Sequence, residues 1–177
     1  MTETSGTVPG HPNHNEVSQI QDRLRNGPPL LLDGATGTEL NRRGVDTGLP
    51  MWSAKALLDA PDVLHSIHRD YVMAGADIIT ANTFRTHRRS LAAAGYADRA
   101  SLLCRKAVEL AQGAIEDAVP AHSREPLVAG SIAPLEDCYS PRLVPDSGAL
   151  LVEHYEMAST LADAGVDLLL VETMNTI

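Results

Sequence analysis

The chain carries one segment twice. Residues 71–84 read YVMAGADIITANTF and residues 161–174 read LADAGVDLLLVETM, at a constant offset and without a gap, so that Gly75 matches Gly165, Asp77 matches Asp167 and Thr83 matches Thr173. In each copy a helical pattern runs into an Ala-Gly turn, an apolar run follows, and a polar residue, Asn82 or Glu172, closes that run. The switch from helical spacing to a short apolar run reads as the αβ half of a βα unit. A repeated unit of this kind commits the chain to parallel strands with right-handed crossovers. Such proteins carry their chemistry at the C-terminal ends of the strands.

The rest of the chain fits the same alternation. Apolar runs at 30–32, 77–81, 127–131 and 167–171 predict four strands. Between them, Leu64, Ile67 and Tyr71, then Leu103, Ala107, Leu110 and Ala114, then Leu151, Tyr155, Ala158 and Ala162 recur at helical spacing and predict the buried faces of three helices. Pro61 suits the first turn of the first of these. A shorter helix carries Val17, Ile20 and Leu24 and ends at Gly27, before Pro28 and Pro29. Residues 1–15 are polar and interrupted by Pro and Gly, and read as a disordered tail whose His11 and His14 lack a third metal ligand.

Bulk properties remove several functions. With 14 basic and 23 acidic residues the formal net charge is −9, which argues against a nucleic-acid or anionic-membrane partner. No apolar run approaches the ~18 residues of a membrane span, and no basic-then-apolar signal opens the chain, so the cytoplasm is the expected location. Two cysteines, Cys104 and Cys138, make no disulfide framework. Cys104 reads as a small buried hydrophobe and Cys138 as a lone loop thiol. Gly34 and Gly37 lack the Lys and the spacing of a phosphate-binding loop.

The candidate chemistry lies at the strand ends: Asp33, Asn82 with Thr83, and Glu172 with Thr173, with Ser131 a weaker fourth. Two carboxylates converging on one mouth suit a substrate ammonium. Acid–base work and an oxygen-ligand metal site are the other readings. The bland alternatives are that Asp33 caps its own turn and that Glu172 pairs with a nearby cation. His87, Arg88 and Arg89 read as a solvated helix start or as receptors for an anionic group.

Five motifs in order, LLDGATGTELNRRG (31–44), WSAKALL (52–58), HRDYVMAGADIITANTF (68–84), GSIAP (130–134) and DLLLVETM (167–174), resemble the homocysteine S-methyltransferase family over about residues 28–177. The resemblance implies an α/β fold of parallel (β/α) units, here roughly the first half of a TIM (β/α)8 barrel, and methyl transfer to the sulfur of homocysteine. It implies that Asp33, with Gly34 beside it, and Glu172 hold the substrate ammonium, and that Asn82 and Thr83 line the same mouth. It also implies zinc, held in the family by a cysteine after a later strand and by an adjacent cysteine pair. Cys104 and Cys138 match neither, so no metal ligand and no catalytic residue is assigned. A whole barrel takes roughly 250 residues. The expectation is therefore a disordered tail over 1–15 and an incomplete homocysteine-binding barrel over 16–177, truncated before its zinc-binding half. It would be inactive alone and prone to self-association through open barrel edges. The expected partners are homocysteine and a methyl donor. A non-catalytic amino-acid-binding half-barrel, or another carboxylate-dependent barrel enzyme such as a lyase, is the alternative.

Overall fold

The computed structural model describes residues 14–118 and 125–176, and side chains only from residue 20 onward. His11, the His14 side chain and most of the expected tail lie outside the described residues. The chain divides into two compact units after Leu30. In the first, α1 (His14–Asn26) begins within the last two residues of the expected tail. It closes where the Gly27 N–H donates to the Arg23 carbonyl at 3.1 Å.

The second unit contains α2 (Thr36–Arg42), α3 (Ala56–Asp59), α4 (Pro61–Met73), β1 (Ile78–Ala81), α5 (Arg88–Ala92), α6 (Ala100–Ala118), β2 (Leu127–Ile132), α7 (Ser147–Asp163) and β3 (Leu168–Val171). The strands form a parallel sheet in the order β1-β2-β3, with Ile78 opposite Leu127 and Ala129 opposite Leu168. The alternation and the parallel sense read from the sequence are both present. The run at 30–32 is shorter than expected: only Leu32 pairs, as a single parallel bridge to Ile78. The reason lies in the local hydrogen bonds. The Leu31 carbonyl accepts from both Asp77 N and Ile78 N, and the Leu31 N–H donates to the Asp77 carboxylate instead of to a backbone carbonyl. The ladder thus has room for one regular step before Gly34.

The repeated aspartates explain why the two copies look alike. Asp77 N donates to the Leu31 carbonyl at 2.8 Å, and its carboxylate accepts from Leu31 N at 2.9 Å. Asp167 does the same to Val128, at 2.9 and 2.7 Å. Each aspartate therefore grips the start of the preceding strand with both backbone and side chain. Gly75 and Gly165, with φ of +100° and +84°, supply the left-handed turn that brings the chain to that point.

The sheet packs on α6 and α7 through Ile79, Val128, Ile132, Val108, Ala111 and Leu161. A second cluster, including Leu57, Leu64, Leu91 and Leu103, joins α3, α4, α5 and α6. The inward face expected for α6 is correct for Leu103, Ala107 and Ala114. The face expected for α7 is correct only for Ala158, which packs against the core. Leu151 and Tyr155 are each 73% exposed, and Met157 and Leu161 point inward instead. Apolar residues lie on both sides of α7, so spacing alone leaves its rotation open. Gly130 settles it: a Cβ there would lie 2.9 Å from Leu161, so the glycine makes the seat into which Leu161 fits.

Candidate functional site

Asp33, Gly34, Asn82, Ser131, Glu172 and Thr173 all line one cavity of about 570 Å³ at the C-terminal ends of the strands. That size suits a small-molecule ligand. Asp33 does not cap its own turn. It reaches across to β1, accepting from Thr80 N at 2.9 Å and from Thr80 Oγ1 at 2.7 Å. Burial pushes its carboxyl above the ordinary range, the two Thr80 hydrogen bonds pull it partly back, and the negative charge of Glu172 pushes it up again.

Glu172 accepts from Ser131 Oγ at 2.6 Å and makes no ion pair with any described residue. Two carboxylates thus share one cavity and one electrostatic field without a cation between them. The following residue, Thr173, holds a left-handed φ of +58°, which turns the chain away immediately after the carboxylate. Gly34 leaves room for Tyr71, whose ring would have to shift for any larger residue. A Cβ there would lie 2.7 Å from Tyr71 Oη and 2.9 Å from its ring.

The other two expected residues play different parts. Asn82 reaches the cavity wall, but its amide is engaged with Ser53, accepting from Ser53 Oγ at 2.7 Å and donating to the Ser53 carbonyl at 2.8 Å. It pins the 3-10 turn Trp52–Lys55, which leads into α3, to the end of β1. Thr83 does not line the mouth. It is fully buried, and its hydroxyl donates to the Ser131 carbonyl at 2.8 Å. The chain has already left β1 here: Thr83 N donates to the Ala81 carbonyl at 2.7 Å, and this tight turn carries the Thr83 side chain into the core.

Arg88 and Arg89 are held in ion pairs, Arg88 with Glu156 at 2.6 Å and Arg89 with Glu136 at 3.0 Å and with Glu153. His87 is buried and caps α5 by accepting from Ser90 N at 3.3 Å. None of the three lines the cavity. The wall instead includes Trp52, Phe84 and Arg85, which the sequence reading passed over. Trp52 and Phe84 meet edge to face at 5.5 Å. A lone tryptophan two residues after Pro50 was the available signal for this wall.

Cys104 is buried and its thiol is pushed up to about 11 by burial, as befits a core residue. Cys138 lies on the cavity wall. Among the described residues no three His, Cys, Asp or Glu side chains come together as a metal site. Among the described residues the side chains present therefore do not fit a thiolate zinc centre, and no third carboxylate, His or Cys joins Asp33 and Glu172.

A parallel β/α sheet with two carboxylates lining one cavity at its strand ends is the arrangement of parallel β/α barrels. Residues 30–177 match the family described as homocysteine S-methyltransferase, and the chain belongs to that family. It is 35% identical over 158 residues to homocysteine S-methyltransferase of Escherichia coli (strain K12), covering 82% of this chain and 50% of that protein. It is 30% identical over 170 residues to homocysteine S-methyltransferase YbgG of Bacillus subtilis (strain 168), covering 89% and 54%. The metallated form of the homocysteine methyltransferase MmuM from Escherichia coli superposes with a TM-score of 0.78 at 32% identity, covering 90% of this chain and 58% of that one. The chain thus spans about half the length of these relatives. The match agrees with parallel units that make up part of a TIM barrel.

Proposed function

We propose that this chain supplies the amino-acid-binding part of a homocysteine S-methyltransferase. The observation that carries the proposal is the pairing of Asp33 and Glu172 on one cavity, each held by a hydroxyl donor and neither neutralised by a cation. An ammonium placed there would relieve their mutual repulsion and form charge-assisted hydrogen bonds. Thr80 and Ser131 fix the two carboxylates before the ligand arrives, so little ordering is needed on binding. The transfer itself joins the homocysteine sulfur to the donor's methyl carbon as the donor's bond to that carbon breaks and the thiol proton passes to solvent. The product is methionine, and the donor leaves with the electron pair of the broken bond.

Titration calorimetry of the purified chain with homocysteine tests the binding step. We expect saturable binding that weakens by about 10-fold or more in Asp33→Asn and in Glu172→Gln. Full affinity in both variants would sink the assignment. The lack of a thiolate cluster among the described residues favours a second reading, binding without turnover. A methionine assay with homocysteine and S-methylmethionine separates the two.

We also propose that the chain associates with itself. Val171 and Leu169 on β3 are 62% and 43% exposed, and Leu151, Val152 and Tyr155 form an exposed apolar stretch on α7. Sedimentation at rising concentration should show mass above the monomer, reduced by Leu151→Lys. A monomer at every concentration would refute it.

A further inference from the structure

Arg85 differs from every other arginine near the site. It lines the same cavity as Asp33 and Glu172. Its guanidinium makes no hydrogen bond and no ion pair with a described residue, and its Nε is buried without a partner. Arg88 and Arg89, a few residues on, are both neutralised by glutamates. The Arg85 guanidinium carbon lies 5.8 Å from the centre of the Phe84 ring, and Phe84 is braced in turn by Trp52. The cation is therefore seated on an aromatic shelf in the cavity wall. The third carboxylate of that wall, Asp137, is already satisfied, accepting from Ser140 Oγ at 2.7 Å and from Tyr139 N at 3.2 Å. Leaving a guanidinium donor buried and unpaired is unfavourable. The planar fork of arginine matches a carboxylate better than any other anion of comparable size except phosphate.

We infer that Arg85 binds the carboxylate of an amino-acid substrate in this cavity, while Asp33 and Glu172 take its ammonium. The inference rests on the homocysteine reading above and deepens it, because it assigns both ends of the zwitterion. It also sets a selection rule: the same thiol without its carboxylate should bind measurably but more weakly than homocysteine, held by Asp33 and Glu172 alone. Two substrates could supply that group, homocysteine itself or an amino-acid methyl donor such as S-methylmethionine.

The test is binding of homocysteine, of 3-aminopropane-1-thiol (homocysteine without its carboxylate) and of S-methylmethionine to the full chain and to Arg85→Met and Arg85→Lys. We expect Arg85→Met to weaken homocysteine by about 10–100-fold and to leave 3-aminopropane-1-thiol unchanged, with Arg85→Lys between. The unchanged binding of the carboxylate-free thiol reports that the variant is folded. If homocysteine is unaffected but S-methylmethionine weakens, the group recognised is the donor's. If neither weakens, or if all three ligands weaken equally in both variants, the inference is overturned and the homocysteine reading stands. If the unsubstituted chain binds none of them, that reading fails and takes this one with it.

Discussion

Ser131 donates a 2.6 Å hydrogen bond to Glu172 from the neighbouring strand end. Ser131 is itself gripped, because its carbonyl accepts from Thr83 at 2.8 Å. The ends of β1, β2 and β3 are therefore joined in one line, Thr83 to Ser131 to Glu172, and the line finishes at the carboxylate proposed to meet substrate. Replacing Ser131 by Ala removes a charge-assisted donor at a position only 1% exposed. A cost of about 1.5–3 kcal/mol in stability follows, with a drop in homocysteine affinity as Glu172 loses its anchor. Urea unfolding and ligand titration measure the two effects. An unchanged affinity would mean that Glu172 is placed by something else.

Asp33 gives a pH signature. Its carboxyl is held above the ordinary value of 3.8 chiefly by burial, with Glu172 adding to the shift. Ammonium binding needs the ionised form, so homocysteine affinity should fall on acidification, beginning at a higher pH than for an ordinary aspartate. The stability sign is opposite. A carboxyl with a raised folded pKa takes up its proton more readily in the folded state than in the unfolded one, so this group favours folding as pH falls. Asp33→Asn should therefore keep or raise stability at neutral pH while removing this leg of the affinity profile. A large loss of stability in that variant would show that the charge itself holds the fold.

His68 works the other way. It is fully buried in α4, and neither ring nitrogen has a hydrogen-bond partner among the described residues. Burial lowers its pKa from 6.5 to about 4, with a smaller contribution from His65. The folded chain holds it neutral, whereas the unfolded chain protonates near 6.5. The stability this provides is complete above 6.5 and is lost as pH falls from there towards about 4. The loss amounts to about 3 kcal/mol. His87, also lowered to about 4, adds a term of the same sign. His68→Leu should remove the His68 share and shift the acid unfolding midpoint downward, with the His87 share left in place. An unshifted midpoint, followed by circular dichroism, would refute the assignment.

The sequence made some of this visible and hid the rest for definite physical reasons. Asp33 and Glu172 could be read because a carboxylate closing an apolar strand needs a partner or a ligand. Their convergence follows from parallel topology. The pairing of Asp77 with Leu31 and of Asp167 with Val128 was present as an exact repeat, yet the repeat alone did not say that the carboxylates bind backbone. Asn82 to Ser53 and Thr83 to Ser131 are contacts across 29 and 48 residues, which no local pattern encodes. In Arg85, Arg88 and Arg89 the sequence offers three similar cations within five residues. Only the positions of Glu136, Glu153 and Glu156 show which one remains unpaired.

Gly130 tests the packing that sets the whole arrangement. A Cβ built there would meet Leu161 Cδ2 at 2.9 Å, Cδ1 at 3.0 Å and Cγ at 3.2 Å. Leu161 is fully buried, so it has no open space into which to retreat. Either α7 moves off the sheet or Leu161 leaves its rotamer, and overpacking of this kind costs about 1–3 kcal/mol. Because Ser131 is the next residue, a shift of β2 would also be felt at the Ser131–Glu172 bond. Gly130→Ala should therefore lower the unfolding midpoint and weaken homocysteine binding together. The compensating change Leu161→Val, which shortens the opposing side chain, should recover part of both in the double variant. Recovery of stability without recovery of binding would separate the α7 seat from the carboxylate line and show that the site does not depend on how the helix sits.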